Sequence, residues 1–125
     1  MITNWTRRRA RSFRYALRGL LVAHHGVNFR VQVVSAMVVF GLAAMYGITG
    51  THLALVVWSC AVVLAAEIFN TAVERICDLV VRLHGLGRDP LVRDIKDLAA
   101  GAVLLVACAA AATGFIVFGP QSLIR

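Results

Sequence analysis

The sequence predicts an all-α integral membrane protein, with an N-terminal amphipathic surface helix followed by three membrane-spanning helices in a single domain over residues 1–125. Two observations carry that fold class. The chain is 60% hydrophobic with a mean hydropathy of +0.80, whereas a soluble domain of this length holds about 45–50% apolar residues. That excess is too large for so short a chain to bury within itself, so it implies contact with lipid. The apolar residues also fall into three long runs separated by short polar breaks, each long enough to cross a hydrocarbon core of about 30 Å.

In chain order, residues 7–25 place Phe13, Leu17, Leu20 and Leu21 on one side of a helix and Arg7, Arg11, Arg14 and Arg18 mainly on the other. This is the pattern of a basic helix lying in the headgroup layer. The apolar stretch Gly19 to Ala23 is too short for a signal-peptide core, and no small-residue cleavage site follows. Gly26 marks a turn, and Asn28, Phe29 and Arg30 lead into a first span over 31–48. The uncharged stretch Gly47 to His52 turns the chain into a second span over 53–81, which is longer than a bilayer requires. Its last turns therefore emerge into the interface. Residues 82–93 form a polar loop with Gly85, Gly87 and Pro90 as breakers. A third span over 94–118 stops at Gly119 and Pro120.

Charge is as unevenly distributed as hydropathy. The formal net charge is +7, but most of the basic residues are gathered into the N-terminal arginine cluster and a second group of Arg75, Arg82, Arg88, Arg93 and Lys96. All acidic residues lie between Glu67 and Asp97. Anionic lipid headgroups or nucleotide phosphates suit this pattern, and a nucleic-acid-binding role does not. The positive-inside rule puts both basic groups, with the N-terminus, on the cytoplasmic side. Cys60, Cys77 and Cys108 stand in apolar segments without metal-ligand spacing, so neither a disulfide nor a zinc site is expected.

Within the second span, AAEIFNTAVERICD (residues 65–78) interrupts the apolar pattern with Glu67, Asn70, Glu74 and Asp78. At positions i, i+3, i+7 and i+11 these four share a helical sector of about 80°. Carboxylates on one side of a membrane helix are costly unless they pair, bind a cation or meet water, which marks the stripe as a functional site. Three thin helices shield such a stripe poorly, and an oligomer facing its stripes inward would cover it.

EIFNTAVERICD (67–78), followed by KDLAAGAVLL (96–105) and preceded by SFRYALRGL (12–20) and NFR (28–30), resembles the prokaryotic diacylglycerol kinase and undecaprenol kinase family over nearly the whole chain. The resemblance implies a homotrimeric plasma-membrane enzyme that transfers the γ-phosphate of MgATP to the hydroxyl of a lipid alcohol. The N-terminal match lies closer to the undecaprenol kinase branch, which makes undecaprenol the first candidate lipid and diacylglycerol the second.

The stripe's chemistry agrees with that resemblance. Phosphorylating a hydroxyl requires a base at the alcohol, divalent cations on the phosphates and positive charge for the moving phosphoryl group. Glu67, deepest in the membrane, is the expected general base. Glu74, about 10 Å along the same face, is the expected Mg²⁺ ligand, since hard carboxylate oxygens suit that ion. Asn70, one turn from both, is placed to position nucleotide or alcohol, and Asn28 matches a substrate-side position. Lys96 and Asp97 resemble the pair that contacts ATP, while Arg8 and Tyr15 match nucleotide-contacting positions in the surface helix. Asp78 is placed to orient Lys96 or Arg82. The chain departs from the family at Gly26, where a second metal-binding glutamate usually stands. It also departs in a longer loop after Asp78, where Asp89 is a candidate replacement carboxylate. If nothing compensates for Gly26, the alternative is a catalytically impaired relative acting as a membrane scaffold.

Overall fold

The computed structural model describes the backbone of residues 2–122 and the surroundings of side chains 8–120. Four helices follow one another: α1 (Ile2–His24), α2 (Val27–Met45), α3 (Gly50–His84) and α4 (Pro90–Ser122). The last three are long and apolar enough to cross a membrane, as the sequence predicts. At 1.5 Å per residue the 19 residues of α2 reach about 28 Å, one bilayer core. The 35 residues of α3 reach about 52 Å and project beyond it.

Each helix begins earlier than the sequence pattern suggests, and the ends have local causes. Helix α1 is already formed at Ile2, not Arg7. Helix α2 starts at Val27 because only His25 and Gly26 are needed for the turn, the Gly26 N–H donating to the Ala23 carbonyl at 2.9 Å. It closes by a Schellman arrangement: the Gly47 N–H donates to the Ala44 carbonyl (3.2 Å) and the Ile48 N–H to that of Ala43 (2.8 Å). Gly47 takes the left-handed conformation this requires, at φ 65°.

The loop expected over 82–93 is shorter than its composition suggests. Helix α3 runs on to His84, and Gly85 ends it at φ 62°. Helix α4 then starts at Pro90, since proline is preorganised for a first helical position. The Asp89 carboxylate accepts from the N–H groups of Leu91 (2.8 Å) and Val92 (3.3 Å), capping the helix. At the far end α4 continues through Pro120 to Ser122. A proline there removes one N–H donor and its ring crowds the carbonyl four residues back, and only two residues of α4 follow it.

Helix α3 is the centre of the fold, packing most extensively on α4 and less on α2, while α1 meets the others sparsely. Its buried residues are Val56, Val63, Glu67, Asn70 and Cys77, a seam with steps of seven, four, three and seven residues. One end of that seam is apolar: Val56 joins Ala43, Ile48 and Val117, with Tyr46 and Phe118 packed alongside at 6.2 Å between ring centroids. The other end carries the polar residues. Isolated hydroxyls in the spans bond their own helix, Ser35 to the Val31 carbonyl and Thr113 to that of Ala109, both at 3.0 Å, which removes bare donors from the apolar region. A cleft of about 220 Å³ lies between α2, α3 and α4, lined by Gln32, Val39, Val56, Cys60, Val63 and Thr113 among others.

Candidate active site

The polar stripe lies on the seam by which α3 meets the rest of the bundle. Glu67 and Asn70 are each only 4% exposed, while Phe69 and Ile76, on other faces of the same turns, are 73% and 62% exposed. A helix that turns aromatic and aliphatic side chains outward and encloses a carboxylate is arranged for lipid outside and chemistry inside.

Asn70 Nδ2 donates to Glu74 Oε1 at 3.2 Å, one turn further along α3. That bond uses one of the two N–H donors of the amide, and Asn70 Oδ1, also buried, has no hydrogen-bond partner among the described residues. A buried acceptor without a donor suits a site completed by a ligand. Glu74 is only partly buried. One of its oxygens takes the amide proton, and a carboxylate has lone pairs to spare after one such bond.

Next along the stripe, Lys96 Nζ donates to Asp78 Oδ1 at 2.5 Å and ties the start of α4 to α3. Asp78 therefore selects Lys96, of the two cations the sequence offered it. Lys96 and its neighbour Asp97 point differently: Asp97 sits 3.6 Å from Arg93 Nε on an exposed face of α4. Adjacent residues on a helix diverge by about 100°, so only Lys96 joins the α3 stripe within the chain.

The surface-helix candidates stand further off. Arg8 and Tyr15 are exposed on α1, where the Tyr15 ring lies 5.9 Å beneath the Arg14 guanidinium. Asn28 is exposed at the start of α2, beside the buried Phe29. The sequence reading missed what joins α1 to α3: Arg75 Nη2 donates to the Val22 carbonyl at 3.4 Å. Its signal was an arginine one residue beyond Glu74, turned about 100° off the stripe toward a neighbouring element.

Among the described residues no three His, Cys, Asp or Glu side chains gather into a metal cluster. Mg²⁺ is commonly held by one or two carboxylates, with waters and substrate phosphates filling the remaining positions. Glu74, with unspent oxygen lone pairs on a half-buried face, fits that mode. Asp89 spends one oxygen, Oδ1, on the α4 cap, and its second oxygen keeps lone pairs to spare. At Gly26 a Cβ would come within 3.2 Å of the Ala23 carbonyl oxygen, so this tight turn suits glycine.

Fold and site together define a small multi-pass helical membrane protein with a buried glutamate–asparagine pair and a cationic contact at one end of its central helix. The sequence pattern of the prokaryotic diacylglycerol kinases matches residues 14–118, and the chain belongs to that family. It is 36% identical over 104 residues to a diacylglycerol kinase of Synechocystis sp., an alignment covering 82% of this chain and 58% of that relative's length. No solved structure matches.

Proposed function

We propose that the protein is a membrane lipid kinase, transferring the γ-phosphate of MgATP to the hydroxyl of a lipid alcohol. The observation that carries this reading is the enclosed Glu67, held one turn from an amide that is itself bonded to Glu74. Glu67 accepts the hydroxyl proton as the alcohol oxygen attacks the γ-phosphorus. The bond to the bridging oxygen breaks, ADP leaves and the proton later passes to solvent. Asn70 holds Glu74 in place, and Glu74 holds Mg²⁺, which supplies neutralisation of phosphate charge. Lys96 directs N–H donors at phosphate oxygens. Asp97, Arg8 and Tyr15 contact nucleotide from the rim, and Asn28 stands by the lipid headgroup.

The apolar cleft ends at Val63, one turn from Glu67, which suits a hydrocarbon chain whose headgroup lies at the base. Undecaprenol is the leading lipid from the N-terminal pattern, and the relative's name supports diacylglycerol. In this reading the basic end of the bundle, with α1 and the site, faces the cytoplasm of a bacterial plasma membrane. Three chains assemble so that neighbours cover the exposed apolar faces and complete the site. The absence of a carboxylate at Gly26 favours one competing reading, a scaffold without catalysis.

The deciding experiment offers each lipid separately to purified protein in mixed micelles, with labelled ATP and Mg²⁺ and with Glu67→Gln as control. Transfer that disappears in the control supports the kinase and names its lipid. A folded oligomer that phosphorylates neither lipid sinks it and leaves the scaffold.

A further inference from the structure

We infer that Asp78 is a positioning residue for phosphoryl transfer, holding Lys96 on the face of α3 that carries Glu67, Asn70 and Glu74; this rests on the lipid-kinase reading. Three observations carry it. The Asp78–Lys96 contact joins two helices across 18 residues of sequence, at 2.5 Å. Asp78 follows Glu74 by one turn, so the bonds Asn70 to Glu74 and Lys96 to Asp78 continue one line along α3. Lys96 is also separated from Asp97, whose charge is taken up by Arg93.

Stability does not explain the pair. The two side chains are 36% and 56% exposed, and exposed ion pairs add little to folding free energy. Its consequence is orientation. A lysine is a point charge on a flexible four-carbon stem, and on the first turns of α4 it has open water to explore. Asp78 occupies one of its three N–H donors and leaves two for phosphate oxygens. The ammonium is thereby held near Glu74 before nucleotide arrives, which is the preorganisation that charge stabilisation requires.

The test measures ATP and lipid kinetics, with binding of a non-hydrolysable ATP analogue, for Asp78→Asn, Asp78→Glu, Lys96→Met and the Asp78→Asn/Lys96→Met double variant. Asp78→Asn is expected to raise the KM for ATP and the Kd for the analogue about tenfold. The KM for lipid should stay unchanged. Asp78→Glu, which keeps the charge, should recover most of the loss, and the double variant should be no worse than Lys96→Met alone, as residues acting through one contact are non-additive. Independent, multiplying losses overturn the inference. So does tighter ATP binding in Asp78→Asn, which would make Asp78 a competitor of phosphate, and so does a variant that fails to fold, which would make the pair architectural. Active wild type with an inert Lys96→Met and an unaffected Asp78→Asn defeats this inference alone, whereas wild type that neither binds analogue nor transfers phosphate defeats the kinase reading with it.

Discussion

At the scale of single residues, Glu67 and Glu74 are both glutamates on one helix face, and their surroundings differ. Glu67 is enclosed and Glu74 opens toward the basic end. Glu67→Gln should cut phosphate transfer by about 10²–10⁴-fold, the usual worth of a positioned general base. The helical circular dichroism should stay unchanged, because glutamine fills the same space. Glu74→Gln should move the Mg²⁺ dependence of transfer to higher concentration, with part of the rate regained at saturating Mg²⁺; a variant whose Mg²⁺ titration overlays wild type would remove Glu74 from the metal. The stripe itself was legible in the sequence, because helical periodicity alone puts positions 67, 70, 74 and 78 on one face. The bond between Asn70 and Glu74 was not, since spacing makes two side chains neighbours without saying which atoms meet.

Among the elements, α3 and α4 were legible in kind but not in extent. Pro90 looked like a loop breaker, yet with Asp89 before it the same residue opens α4. Asp89→Ala should destabilise the fold by about 1 kcal/mol, as loss of a helix cap does, and lower the thermal midpoint without shifting the Mg²⁺ titration. A changed Mg²⁺ dependence would instead return Asp89 to the metal. One contact between α1 and α3 is of a kind that no periodicity reveals, Arg75 reaching the Val22 carbonyl. With Arg75→Ala the end of α1 should loosen, seen as faster proteolysis near residues 22–26 in micelles, while Arg75→Lys should retain part of the restraint.

For the whole molecule, the sequence pattern anticipates a bundle that leaves much of its apolar surface uncovered, and the structure agrees. Phe115 is 80% exposed, Leu98 75% and Leu105 74% on α4, surface that must meet lipid chains or neighbouring copies. Orientation is testable on a cysteine-free background. A single cysteine at Ser12 should be labelled by a membrane-impermeant thiol reagent only in inverted vesicles, and one at Thr51 only in right-side-out vesicles. The reverse pattern would place the basic end outside and separate the site from cytoplasmic ATP.

By itself the sequence determined the membrane, the number of spans, the basic side and the stripe, because each follows from hydropathy, charge or helical period along a single chain. Tertiary structure decided which stripe residues are enclosed and which partner Asp78 takes. Those outcomes depend on how one helix is rotated against another, and that rotation is not written in the spacing of residues along the chain.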